Sequence, residues 1–461
     1  GLLWYRDGRV VLSGLRAEHG PVRLVGDAVC DFLPDGQWRL RFDRLFVDRV
    51  SLDRELIQAL PERIRRILSE WKITGPLNLS GGVELVRGPR ASDPVHSTWD
   101  IVAGLHQGSL ECGTHLENIC GQVRLRGGSD GDRFHSSGEL AIDSMSFHDR
   151  QFTEIAGPFW IDENQLVLGT GAERIAAEHG ALATNAPRSH RAGGADSLPA
   201  TSLAGAAPRE PPATAPRRIT GRLFGGVLRA DGWVTFGPEP RYALAAELVD
   251  GDLARCAQEV LAGRQDLRGA IRASVKLRGR GWTTNGLTGH GTIRLSEADV
   301  YELPVMVSLL KLLSIRRPDK NAFSHADVDF RIEGEHFYFD RIDFTGDAVS
   351  LLGKGEMDFQ RAVALRFHAV VGRAQKKVPV LSDLFAGASK QIMVIQVTGT
   401  LDDPVVKRQP FPAVNQAISL LQEDRTTAGS EARPPLGRLA PPRTAHGDAY
   451  SAPAGRTSLK R

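Results

Sequence analysis

The sequence predicts a mainly β protein: an extended, curved antiparallel β-sheet or groove, made of repeated meanders with a few short amphipathic helices. Three observations carry this. Apolar and charged residues alternate one for one over many short runs, the side-chain period of a strand with one greasy and one wet face. Short Gly- and Asp-containing turns separate the runs, as in hairpins. A Gly-x-(Gly/Leu) step leads into strand after strand, at Gly138-Glu-Leu140, Gly221-Arg-Leu223, Gly289-His-Gly291, Gly353-Lys-Gly355 and Gly399-Thr-Leu401. Glycine inside a strand marks a bulge or a bend, so its recurrence predicts regular curvature.

Taken in order, residues 1–183 form a first β-rich repeat region. Val22, Leu24 and Val25 lead to Gly26, and Trp38, Leu40 and Phe42 alternate with Arg39 and Arg41. Leu77, Leu79, Val83 and Leu85 flank Gly81-Gly82, and Val123 and Leu125 alternate with Gln122, Arg124 and Arg126. Leu56, Ile57, Leu60, Ile64, Ile67 and Leu68 fall near helical spacing and predict a helix near 52–69, with Pro61 at a start or kink. Residues 184–217 carry Pro187, Pro199, Pro208, Pro211, Pro212 and Pro216 among Ala, Ser, Gly and Arg, and read as a disordered linker. It separates the first region from a second, 218–422.

The second region holds the clearest alternation. Val328, Phe330 and Ile332 alternate with Asp327, Asp329, Arg331 and Glu333. A turn at Gly334-Glu335-His336 leads to Phe337 and Phe339, then Ile342 and Phe344. Leu351, Met357 and Phe359 follow, and Val363, Leu365, Phe367, Ala369 and Val371 close the series, five expected strands in all. Leu253–Ala262, Pro304–Leu313 and Pro412–Leu421 have the spacing of short amphipathic helices. Trp233 and Trp282 fall at similar places in successive repeats, as core or groove-lining residues. Residues 423–461 form an expected disordered basic tail: from Arg425 onward seven Lys/Arg stand against two Asp/Glu.

The chain of 461 residues has a net charge of +3, and its arginines mostly alternate with Asp and Glu. No basic stripe forms, which argues against a nucleic-acid partner. No apolar run reaches the ~20 residues of a spanning helix. No Gly-x-Ser-x-Gly elbow, His-Glu-x-x-His or P-loop occurs, so no covalent chemistry, metal or cofactor is expected. Asp402-Asp403 reads as a solvated turn, and His325, His336 and His368 do not converge. The four cysteines, Cys30, Cys112, Cys120 and Cys256, include no CxxC pair. Cys112 and Cys120 are placed either on neighbouring strands or as buried thiols.

Residues from about Leu287 to Leu421 resemble the C-terminal region of the AsmA-like family, which includes the TamB and YhdP relatives. The resemblance rests on Gly289-His-Gly291 with its strand, polar turn and short helix at Pro304–Leu313. It rests also on the Phe323–Phe359 block and on Val397-Thr-Gly-Thr-Leu-Asp-Asp-Pro-Val-Val406, whose proline is expected to end the strand and turn the chain into the last helix. Val50–Pro61 looks like a strand-to-helix step of the same family.

The resemblance implies a β-groove in the periplasm or cell envelope, anchored to the inner membrane through a segment upstream of Gly1 or through other envelope proteins. It implies phospholipid as the partner, in outer-membrane lipid transport or maintenance. The greasy sheet face supplies a mechanism, since each buried methylene contributes about 0.8 kcal/mol. The lining candidates are Val328, Phe330, Ile332, Phe337, Phe339, Leu365, Phe367 and Val371, with Pro304–Leu313 closing one end. The alternative is a structural or assembly factor for outer-membrane proteins that works through a sheet edge.

Overall fold

A computed structural model describes residues 1–59, 65, 68, 71–111, 114–131, 133–184, 216–260, 267–299, 304–313, 325–346, 349–371 and 392–409. The expected tail, the Pro412–Leu421 helix, Cys112 and most of the 184–217 linker lie outside these residues. So does most of the 52–69 helix beyond its first turns at Arg54–Ala59, here α1.

The described chain is one antiparallel sheet of 22 strands. β1 (Leu2–Arg6), β2 (Arg9–His19), β3 (Val22–Phe32) and β4 (Trp38–Val50) open it, and every neighbour in sequence is a neighbour in space. β5 (Lys72–Thr74) and β6 (Leu77–Arg87) both pair with β7 (Val95–Glu111) and share one strand position. β8 (His115–Ser129), β9 (Phe134–Phe147) and β10 (Arg150–Asp162) continue the meander.

The expected linker does not divide the molecule into two sheets. β11 (Gln165–Leu168) and β12 (Ile219–Leu223) lie end to end between β10 and β13 (Gly226–Thr235), pairing with both. The segment 185–215 is thus an insertion into one strand position. Ion pairs stitch its ends together. Returning Arg217 bonds Glu173 at 2.7 Å and Glu139 at 2.9 Å, and Arg218 bonds Asp231 at 2.8 Å. Asp231 also accepts the Thr170 N–H at 2.9 Å, at the start of helix α2 (Thr170–Thr184). No periodicity in the sequence announces α2.

β14 (Arg241–Asp252), α3 (Leu253–Val260), β15 (Arg268–Arg280) and β16 (Thr288–Asp299) follow. Then come α4 (Pro304–Leu313), β17 (His325–Glu333), β18 (His336–Thr345), β19 (Val349–Asp358) and β20 (Val363–Val371). Two expectations are corrected here. Phe337 to Phe344 is a single strand, because a bulge between Phe339 and Ile342 slips the phase of alternation, so four strands stand where five were expected. His336 begins that strand rather than sitting in the turn. Further on, Pro404 does not lead into a helix. It opens β22 (Pro404–Gln409), which hairpins back on β21 (Ile392–Gly399) through the Thr400–Asp403 turn. A first strand residue is one of the few sheet positions proline tolerates.

The sheet is bent by a series of bulges. Arg49, Gln107, Asn118, Glu154, Asp250 and Glu297 all have φ between 51° and 55° inside long strands, at or beside breaks in register. Left-handed backbone costs a non-glycine residue about 1–2 kcal/mol. What it gives in exchange is a local bend and a stronger twist.

Candidate functional site

Direct cross-strand partners point to the same face of an antiparallel sheet, so the registers show which side chains share a face. One line runs through Leu228, Leu248, Ala273, Ile293, Val328, Ile342, Gly353, Phe367 and Ile395, on nine successive strands. A parallel line joins Phe330, Phe339, Gly355 and Leu365, and a third joins Ile332, Phe337, Met357 and Val363. Val371 pairs with Val349. Val328, Phe330, Ile332, Phe337, Phe339, Leu365 and Phe367 therefore fall on one sheet face, which alternation within single strands could not establish.

The same face continues towards the N-terminus. Ala103, Val123, Leu140 and Gly157 are in line across β7 to β10, and Ile101, Leu125, Gly138 and Phe159 run beside them. Phe42, Val83 and Trp99 carry the face back to β4. The recurring glycines have a shared role along it. A Cβ at Gly138 would lie 2.7 Å from the Phe159 ring, at Gly291 2.5 Å from Phe330, and at Gly353 2.5 Å from Phe367. Each glycine is a seat for a phenylalanine on the next strand, so large rings lie flat on the sheet.

What covers this face changes along the sheet. At the C-terminal end α4 packs against β22, and Val305, Met306 and Leu309 join Leu351, Leu365, Phe367, Ile395 and Val397 in the largest core. Phe367 is 1% exposed and Leu365 6%. Protein atoms fill the space above these two candidates. Ile332 is buried as well, while Val328, Phe330, Phe337 and Phe339 are half-buried. From β4 to β9 neither α2 nor α3 supplies a cover: α2 packs on β10, β11 and β13, and α3 on β14 and β15. There Phe42, Val83, Leu85, Trp99, Ile101, Val123, Leu125 and Leu140 are partly buried, like Val328, Phe330, Phe337 and Phe339. These were legible as strand residues, but only the register gathers them into one surface.

The opposite face is ionic. Arg124 and Arg126 both bond Asp100 at 3.0 Å, and Arg331 bonds Asp340 at 3.0 Å and Glu333 at 2.7 Å. The hydrogen bond from Arg124, with Arg126 beside it, holds the Asp100 carboxyl below its ordinary range. α2 sits on this ionic side, where Trp160, Val167, Ala172 and Ile175 form a second core with Trp233 against it. Trp233 therefore belongs under a helix on the far face, and Trp282 is a 48% exposed loop residue. Neither lines the apolar face, contrary to one of the two expectations for them.

Asp402 pairs with Arg361 at 3.0 Å, and among the described residues no three His, Cys, Asp or Glu side chains gather as a metal site. Cys256 lies in α3, where burial pushes its thiol up to about 11, away from nucleophilic thiolate. No described helix is long and apolar enough to cross a membrane.

The fold and its apolar face define a long antiparallel sheet with one greasy side, covered at one end. Compared with protein-family models, curated proteins and solved structures, the chain matches none of them.

Proposed function

We propose that this chain is a non-enzymatic envelope protein that holds phospholipid acyl chains along its apolar sheet face, in outer-membrane lipid transport or maintenance. The observation that carries the reading is the apolar face from β4 to β9, in register across every strand, only partly buried, and packed by none of α2, α3 and α4. Acyl chains match it chemically, because they need no polar partner and gain by area alone. A sixteen-carbon chain contributes on the order of 10 kcal/mol gross. The likeness to the AsmA-like family supports the same reading, with a periplasmic setting and a tie to the inner membrane.

The 22 strands occupy twenty positions, since β5 continues β6 and β11 continues β12. At ~4.8 Å per step the whole sheet is about 90 Å long along its contour, and the five positions from β4 to β9 span about 20 Å of it.

Native mass spectrometry of the full chain, purified from a bacterial envelope with gentle detergent exchange, tests this. The expected spectrum shows adducts of phospholipid mass. A folded protein with no lipid in any charge state would remove the proposal.

One observation favours a second reading. β1 pairs only with β2 among the described strands, and its Leu2, Leu3, Trp4 and Tyr5 are each more than half exposed. An apolar edge of this kind takes a further strand, which an assembly factor for outer-membrane proteins would draw from its partner and a longer form of this chain from its own residues. Co-purification of a β-barrel protein with lipid-free chain would favour it.

A further inference from the structure

Trp71 and Phe236 touch: their ring centroids are 5.4 Å apart with the planes at 82°. Their places in the sheet make this contact informative. Trp71 precedes β5, whose Lys72 pairs with Glu111 at the far end of β7. Phe236 extends β13, with its N–H donated to the Asn164 carbonyl at 2.7 Å. The level of Thr235 traces through Gln165, Asp162, His135 and Gly128 to Thr98, at the other end of β7.

On a flat sheet the two residues would stand fifteen residues apart along β7 and six strand positions apart across it. At about 3.3 Å per residue and 4.8 Å per strand, that is roughly 57 Å. Contact at 5.4 Å requires the sheet to coil until opposite strand ends meet. Phe236 has the phase of Val234, which is paired with Leu166 and Tyr242. It therefore sits on the apolar face, and Trp71 reaches the sheet from that side.

We infer that Trp71 and Phe236 form an aromatic clasp across the mouth of the coiled sheet, making the stretch from β7 to β12 a closed passage that must open sideways for an acyl chain to exchange. This rests on the lipid-holding reading above. Among the described residues the clasp is two side chains and no backbone ladder. An edge-to-face pair contributes little enough to open on its own, and both side chains remain only partly buried. The rims flanking it supply the hinge: Gly75 (φ 101°) follows β5 and Gly237 (φ 118°) follows Phe236, and nothing lies within 4 Å of the Cβ position of Gly237.

The test uses the full chain with its four native cysteines replaced by serine and with Trp71→Cys and Phe236→Cys introduced together. A short bismaleimide joins them, and melting curves of linked and unlinked protein verify the fold. The probe is a trace of fluorescent acyl-chain phospholipid in vesicles of phosphatidylethanolamine and phosphatidylglycerol, read as bound lipid and as its exchange rate. Linking is expected to leave bound lipid in place and slow its exchange by at least about tenfold. Phe236→Ala, with native cysteines, is expected to speed exchange about threefold to tenfold, the rate equivalent of one lost aromatic pair, and Trp71→Phe is expected to keep the original rate.

Failure of the cysteines to link in folded protein would overturn the clasp. So would lipid that binds but exchanges at one rate in all forms, and the groove would then stand without a gate. Absence of bound lipid from every form would remove groove and gate together.

Discussion

Phe367→Ala is expected to destabilise the C-terminal part of the sheet by about 3–5 kcal/mol, the range for emptying a large buried aromatic site. The ring is 1% exposed. It lies against Gly353 on one side strand and is paired with Ile395 on the other, beneath the cover of α4. None of these neighbours can collapse easily into the space. Gly353 has no side chain to move, and Leu351 and Ile395 are fully buried and already packed. Phe42→Ala on the same sheet face is expected to cost less than half as much, since its half-exposed ring encloses no cavity when removed. Hydrogen exchange in denaturant, followed separately for β17–β22 and β2–β9, reads both. Equal costs at the two sites would mean that the N-terminal part of the face is as tightly covered as the C-terminal part.

Val123→Asp combined with Leu140→Asp is expected to abolish lipid loading while the sheet remains folded. These two residues are direct partners on β8 and β9, in line with Ala103 and Gly157, at the centre of the uncovered face. A carboxylate there meets water when the face is empty and hydrocarbon when it is filled. Leaving it unpaired against acyl chains costs several kcal/mol, so occupancy should fall by about a hundredfold or more. The fold is penalised less, because both side chains are half-exposed already. Native mass spectrometry gives the occupancy and circular dichroism the fold. Lipid retained at the original level in folded double variant would show that the acyl chains, if present, lie elsewhere.

The strands were legible because a period of two is a strong signal wherever one face is apolar and the other ionic. Val328-Asp-Phe-Arg-Ile332 and Val363 to Val371 stand as strands with the phase the sequence implies. The glycine steps were legible as bends, but not as seats for Phe159, Phe330 and Phe367, since a seat is defined by the neighbouring strand. Register was the missing quantity throughout. It joins β11 to β12 across the insertion, places Leu365 and Phe367 under α4, and assembles Ile101, Val123 and Leu140 into the uncovered face. α2 escaped notice because it buries little. Among the described side chains Ala172 and Ile175 are its residues in a core, too few to leave a stripe at helical spacing in front of a proline-rich run. The bulge in β18 shifted the alternation by one and made one strand look like two. Pro404 was misread because proline ends helices and strands more often than it opens a strand.

The account turns on which face of the sheet meets lipid, and adjacent residues of one strand separate the two possibilities. Val123 points to the apolar face, and its neighbour Gln122 to the ionic one, paired with Ala141 and Gly104. A photoreactive benzophenone amino acid placed at either position, in the full chain expressed in a bacterial envelope, captures whatever lies against it on illumination. The account predicts phospholipid captured at position 123 and none at 122. Equal capture at both positions, or none at 123 in folded protein, would contradict it.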